Sequence, residues 1–138
     1  MNGISLTKRF LSMSLETDLH IDVPKQNALL EIYSQEEFHA ILVREKARAD
    51  RNGHGFSLVT FEVSNPKDMP YLAEYLMRRI RTTDDIGRFD HDTLGVFLYN
   101  TPALGAWQFV NKCRKKTDDD FPRIKCKVYS YPNSWCDF

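Results

Sequence analysis

Between Ser34 and Tyr131 the apolar positions switch repeatedly between helical and strand spacing. Phe38, Ile41 and Leu42, then Glu45 and Ala49, share one helical face, while Arg44, Lys46, Arg48 and Arg51 lie mostly off it. Ser34-Gln35-Glu36-Glu37 is a capping box: the serine oxygen accepts the amide three residues on, and the glutamate reaches back to the serine amide. Gly53 after Asn52 suits a left-handed stop, so a helix is predicted over 35–51. Phe56 to Val63 is largely apolar on both alternating faces, the pattern of a central strand. Asn65-Pro66-Lys67-Asp68 opens a second helix, 67–80, with Pro70 tolerated in its first turn. Its buried stripe is Met69, Leu72, Ala73, Leu76 and Ile80. Strands are predicted over 85–90 and 93–99, joined through the turn-forming Asp90-His91-Asp92. Thr101-Pro102 opens a third helix, 102–116, with Ala103, Ala106, Trp107, Val110 and Cys113 on its inner side. Thr117 to Asp120 reads as a polar connection. In the last strand, 123–131, Ile124, Cys126 and Val128 face in, and Lys125, Lys127 and Tyr129 face out. Pro132 ends it, and the aromatics of Trp135-Cys-Asp-Phe138 can fold back on the sheet.

The order is helix, strand, helix, hairpin, helix, strand. Its β-α-β-β-α-β part is the ferredoxin-like layout of an α+β domain, a four-stranded antiparallel sheet with helices on one face, here preceded by an additional N-terminal helix. Residues 34–138 form the expected domain. Residues 1–33 carry scattered apolar residues without sustained periodicity, with Pro24 in their midst, and read as a linker or docking arm. Its Phe10-Leu11 and Leu29-Leu30-Glu31-Ile32-Tyr33 pieces are the parts able to pack on the domain.

Charge changes this picture by exclusion. Nineteen Lys and Arg balance nineteen Asp and Glu, which argues against broad binding to nucleic acid or to an anionic membrane. No apolar run approaches the roughly 18 residues of a membrane span, and Met1 to Phe10 lacks the apolar core of a signal peptide, so a cytoplasmic protein without direct membrane insertion is expected. Cys113, Cys126 and Cys136 have no C-x-x-C spacing and suggest neither a disulfide framework nor a zinc site.

The chemistry concentrates in Arg81-Thr-Thr-Asp84-Asp-Ile-Gly-Arg88-Phe89-Asp90-His91-Asp92-Thr93-Leu94. This stretch resembles the signature region of GGDEF domains, the diguanylate cyclase family, where R-x-x-D, a spacer and R-Y/F precede five signature residues. Those five positions hold Asp90, His91, Asp92, Thr93 and Leu94. The resemblance extends over about residues 33–131, through the helix Phe38 to Arg51 and the strand from Phe56, and it implies the nucleotide-cyclase form of the layout above.

The same resemblance implies a degenerate site. In the family the end of the first strand and the third signature position supply magnesium-binding carboxylates for a two-metal reaction. The matching positions are Glu62, Ser64 and Asp92, so only Glu62 and Asp92 could reach a common cation, and no cofactor is expected unless that vestigial pair holds magnesium. The two glycines that admit the nucleotide backbone are replaced by Asp90 and His91, which add side chains and a negative charge where a triphosphate would sit. Only 18 residues separate Glu62 from Arg81, without counterparts of the segment that holds guanine and phosphate in the family. No diguanylate cyclase activity is therefore expected.

Arg81 and Asp84 match the inhibitory R-x-x-D site that binds cyclic di-GMP in the family. A guanidinium can fork onto the guanine O6/N7 edge while a carboxylate accepts from its N–H groups. Chance alone supplies about one R-x-x-D in a chain with this much arginine and aspartate, so the weight lies in its register against Asp90. The bland alternative gives both residues to the scaffold, with Arg81 beside the negative end of the second helix and Asp84 fixing the turn into the next strand.

Three functions follow. The first is a catalytically inactive GGDEF-like module that regulates or holds another protein or domain. Leu30 to Phe61 also resembles the leading region of some bacterial sugar transferases, implying control of a membrane phosphosugar transferase in exopolysaccharide synthesis. The second is a cyclic di-GMP receptor using Arg81 and Asp84. The third is a residual metal-dependent nucleotidyl enzyme using Glu62 and Asp92.

Overall fold

The computed structural model describes residues 28–120 and 124–136. A short helix α1 (Ala28–Glu31) leads into α2 (Gln35–Asn52), β1 (Phe56–Glu62), a single 3₁₀ turn (Pro66–Asp68), α3 (Met69–Met77), β2 (Asp85–Asp90), β3 (Thr93–Tyr99), α4 (Ala103–Asp120) and β4 (Lys125–Tyr131). The four strands form one antiparallel sheet in the order β2-β3-β1-β4. Mixed helix and antiparallel sheet are as the sequence pattern predicts, and the doubly apolar β1 is an inner strand, paired on both sides.

Local sequence sets the ends of these elements. Both halves of the capping box form at the start of α2: the Glu37 amide donates to Ser34 Oγ at 3.2 Å and the Ser34 amide to Glu37 Oε1 at 2.9 Å. Gly53 closes the helix at φ 76°, a left-handed conformation that costs glycine little. Pro70 sits in the first turn of α3, where its missing N–H has no partner to lose.

Helices cover both faces of the sheet. On one face α3 and α4 pack Leu72, Leu76, Ala106 and Val110 against Val59, Phe61, Leu94 and Val96, all of them fully buried. Each such Leu, Val or Phe side chain contributes about 1.5–3 kcal/mol relative to exposure. On the other face α2 lays Phe38, Ile41, Leu42 and Ala49 over Phe56, Leu58 and Phe97. Gly87 and Gly95 stand directly opposite each other in the β2–β3 ladder and form the floor under the Phe38 ring. A Cβ at Gly95 would lie 2.6 Å from that ring, and one at Gly87 2.7 Å.

Several boundaries differ from the sequence reading. α3 ends at Met77 rather than near 80, because Arg79 and Ile80 both donate to the Leu76 carbonyl in a tightened turn. α4 continues through Asp120, taking in the stretch 117–120 read as a connection. Trp107 is 43% exposed rather than inward-facing, and Ala103 is exposed as well: the stripe runs through Ala106, Val110 and Cys113, and Trp107 falls beside it. β4 begins at Lys125, and residues 121–123 lie outside the described ones. Tyr129 faces away from α3 and α4 but packs in the cluster under α2, so it is covered rather than solvated.

Within the predicted arm, residues 1–27, including Phe10-Leu11, lie outside the described residues. Ile32 and Tyr33 are buried, and Tyr33 pairs with the outer side of β2, its amide donating to the Ile86 carbonyl and its carbonyl accepting from Arg88. At the other terminus Trp135 packs edge-on against Phe56 and Tyr131, as expected for a folded-back tail, while Phe138 lies outside the described residues.

Candidate functional site

Arg81 and Asp84 occupy the turn between α3 and β2, and the structure brings them into direct contact. Asp84 is 1% exposed. Its Oδ2 accepts from the Arg81 amide and from Arg81 Nε, both at 3.1 Å. Its Oδ1 accepts from Arg81 Nη2 at 3.2 Å and from the Tyr99 amide at 3.0 Å. Four donors thus fill both oxygens of one buried carboxylate. Arg81 Nη2 also donates to the Tyr99 carbonyl at 3.0 Å and to Thr101 Oγ1 at 2.8 Å. The pair therefore ties the start of β2 to the end of β3. It does not rest on the C-terminus of α3, which stops four residues earlier.

The hairpin tip is built differently. A two-residue turn, His91-Asp92, joins Asp90 to its ladder partner Thr93, and the extra residue Phe89 bulges the β2 strand just before it. Asp90 Oδ1 accepts from the His91 amide at 2.8 Å and lies 3.2 Å from His91 Nδ1. Those contacts, the backbone bond first, hold the Asp90 carboxyl below its ordinary pKa. Asp92 Oδ1 accepts from the Thr93 hydroxyl at 2.9 Å, and Arg88 Nη2 donates to the His91 carbonyl at 3.2 Å. Leu94 belongs to the core and is fully buried, so the five signature positions divide into an exposed tip and a buried strand.

Ligand atoms of Asp90, His91 and Asp92 lie within 4.8 Å of one another. Glu62 is not among them, although it pairs with Thr93 and the Val63 amide donates to the Asp92 carbonyl. The grouping contains an imidazole and lacks the strand-end carboxylate. That donor set departs from the all-oxygen coordination magnesium favours. Between Glu62 and the 3₁₀ turn at Pro66 only three residues intervene, the short connection expected from the sequence.

Two clefts flank these elements. One of about 520 Å³ lies between the start of α2 and the end of β2, lined by Phe38, His39, Leu42, Arg88, Phe89 and Asp90 among others. The second, about 320 Å³, opens beside Arg81 and Asp84, with Arg79, Gln108, Phe109 and Lys112 in its walls. Gln108 and Lys112 come from α4 and were not singled out from the sequence. One helical turn apart and both exposed, they could have been marked as neighbours on one face, but nothing in the linear pattern aims that face at Arg81.

No protein-family model and no curated protein matches the chain. Solved structures do. A diguanylate cyclase protein from Thermotoga maritima aligns with 80% of this chain and 89% of its own at a TM-score of 0.65 and 19% identity. The GGDEF domain of DgcB from Caulobacter crescentus, solved in complex with c-di-GMP, aligns with 72% of this chain and 70% of its own at 0.61 and 12% identity. Diguanylate cyclase SiaD from Pseudomonas aeruginosa, solved with its activator SiaC, aligns with 91% of this chain and 56% of its own at 0.61 and 16% identity. The chain has a GGDEF-like fold. At these identities the likeness is one of fold, and it agrees with the resemblance first read in Arg81 to Leu94.

Among the described residues no helix of this GGDEF-like domain is long and apolar enough to cross a membrane. Cys113 is buried under α4, and that burial pushes its thiol up to about 11. Cys126 is half-buried and Cys136 exposed, and none of the three is in a disulfide.

Proposed function

We propose that this GGDEF-like domain makes no cyclic di-GMP and acts as a regulatory module that engages another protein or domain. The observation that carries the reading is the hairpin tip, where the Asp90 and His91 side chains stand at the two positions that the resemblance assigns to nucleotide-admitting glycines. Its bonds to His91 hold the Asp90 carboxyl below its ordinary pKa, so an anion stands where the resemblance implies an incoming triphosphate. The three-residue step from β1 to the next helical turn supports the same reading, because it offers no backbone to wrap guanine or phosphate. SiaD, of similar fold, is solved with a protein activator, which makes a protein partner a natural role for such a domain. The resemblance of Leu30 to Phe61 to the leading region of sugar transferases gives the partner a proposed class: a membrane phosphosugar transferase of exopolysaccharide synthesis. The test is purified protein incubated with GTP and magnesium or manganese. No cyclic di-GMP is expected, and accumulation of the product overturns the proposal.

A second reading has its own observation. The Arg81 side chain is 59% exposed at the mouth of the 320 Å³ cleft, with Arg79 and Lys112 nearby. The DgcB domain, of similar fold, is solved with c-di-GMP bound. Because Asp84 is already saturated, a dinucleotide here is held by Arg81 and Lys112 rather than by the R-x-x-D pair as a unit. Calorimetric titration with cyclic di-GMP decides it. Binding weakened by Arg81→Ala and Lys112→Ala alike supports a receptor, and absence of heat with the wild type removes it.

A further inference from the structure

The cleft beside Arg81 and Asp84 holds more positive charge than that pair supplies. Asp84 is, among the described residues, the one carboxylate in its lining, and the Arg81 fork already neutralises it. Two further cations line the same space: Arg79, in the turn after α3, and Lys112, on α4, both exposed. Among the described residues no carboxylate pairs with either. The Arg79 Cζ sits 4.4 Å from the centre of the Tyr75 ring. That stacking occupies the flat face of the guanidinium and leaves its N–H edge to an acceptor in the plane. Burial raises the Cys113 thiol, and the charge of Arg79 opposes the rise, which sets the guanidinium near the inner wall of the cleft. On the α4 wall Gln108 and Lys112 stand one helical turn apart, a neutral amide and a cation on one face.

This lining is poorly suited to reading a guanine base. Such recognition takes a carboxylate acceptor for the base N–H groups and an arginine edge for O6 and N7. Here both are occupied. A carboxylate offers about four acceptor sites, and the two oxygens of Asp84 already receive two donors each. The arginine edge turned onto them is Nε and Nη2, the side-on fork itself. The R-x-x-D pair is therefore a neutral wall of the cleft, and the uncompensated charge belongs to Arg79 and Lys112.

Two such cations facing one concave volume of about 320 Å³ favour a ligand group that carries two negative charges. A carboxylate or a phosphodiester offers one. A terminal phosphate offers about two near neutral pH. The larger cleft is the opposite case, because Glu36 and Asp90 in its lining outnumber Arg88. Charge thus directs an anion to the smaller cleft. We propose that this cleft binds the diphosphate group of a small ligand through Arg79 and Lys112, with the Gln108 amide as a neutral donor, and does so without reading a base. The inference rests on the same cleft as the receptor reading and assigns it a different ligand class.

Calorimetric titration of the 138-residue chain with inorganic pyrophosphate, UDP and GDP in metal-free buffer of low ionic strength tests this. All three should bind, the two nucleotides with closely similar affinity, and inorganic phosphate should bind more weakly. Arg79→Ala and Lys112→Ala should each weaken the binding about tenfold, as expected for one lost charged contact. Added salt should weaken it in the wild type. Both side chains are exposed, so an unchanged thermal unfolding curve separates a lost contact from a lost fold. No binding of the three diphosphates overturns the proposal, as does binding that both substitutions leave unchanged, or a preference for GDP over UDP of about tenfold or more. Cyclic di-GMP as a fourth titrant keeps the two readings apart. Binding of the dinucleotide without the diphosphates sinks this proposal and leaves the receptor reading, and binding of the diphosphates alone does the reverse.

Discussion

At one end of the β2–β3 hairpin the Asp84 carboxylate is sealed from solvent and takes four hydrogen bonds from two residues of different strands and turns. At the other end the Asp90 carboxylate is exposed, and its recorded bonds come from the residue next to it. Two aspartates six residues apart thus have opposite economies. The first is bound to the architecture, and any ligand role must be fitted around it. The second is bound only to its own turn, so it can change without disturbing the fold. A motif match is therefore weakest evidence of ligand binding where the fold itself satisfies the matched groups.

The most severe way to break the contrast is Asp84→Ala. It strips the Tyr99 amide and three Arg81 donors of their acceptor at once, and a loss of about 3 kcal/mol is expected from urea unfolding. Arg81→Ala should cost less, about 1–2 kcal/mol, because the arginine is more than half exposed and the Tyr99 amide keeps its carboxylate. If the two losses come out reversed, the carboxylate is not the centre of the corner.

Gly95→Ala probes the middle of the hairpin. The added methyl meets the Phe38 ring, and a loss of about 1–3 kcal/mol is expected. Phe38→Leu in the same chain should recover part of it, since a smaller side chain frees the floor. Lack of any recovery would mean that the strain lies elsewhere.

Thiol reactivity sharpens the comparison of buried and exposed groups without touching stability. At pH 8 Cys136 should be alkylated first, while Cys113, with its thiol near 11, should react only on unfolding. Mass mapping of the modified peptides reads this directly.

The smallest effect belongs to the tip. Asp90→Asn and His91→Ala should lower the unfolding midpoint at neutral pH only slightly. The folded-state pKa of Asp90 is depressed, so its contribution to stability is present above the ordinary aspartate pKa and fades as pH falls through the lowered value. Any difference between wild type and Asp90→Asn should thus be largest near neutral pH and shrink in unfolding series run below about pH 4.

Much of this architecture was legible because burial imposes a period. β1, apolar on both faces, could only be an inner strand, and Phe38, Ile41, Leu42, Glu45 and Ala49 could only be one covered helix face. The errors fall where period and packing separate. Ile80 keeps the helical spacing of the α3 stripe, yet the backbone has already tightened at Leu76, a change invisible in side-chain order. The polar run 117–120 looks like a loop, since composition does not distinguish a polar helix end from a turn. Trp107 shares the helical spacing of the inner stripe, but small Ala106 faces the sheet and the indole is turned aside. At the candidate site, the residues of R-x-x-D were found, and so was their bland alternative. Saturation of Asp84 by Tyr99, fifteen residues away, depends on strand register and could not be read from the motif. Gln108 and Lys112 escaped for the same reason.

Tyr33 lies at the end of the stretch first taken for an arm, and its place on β2 bears on how the protein can be handled. A version that starts at Ser34 would retain every helix of the main fold and every strand, and on paper would look complete. It would also bare the backbone of β2 along Ile86 to Arg88, beside an apolar surface that Ile32 no longer covers. Such a truncation should remain folded but become sticky, losing material to precipitation as concentration rises. For expression, fusion or crystallisation, the useful start of this protein is upstream of Ile32.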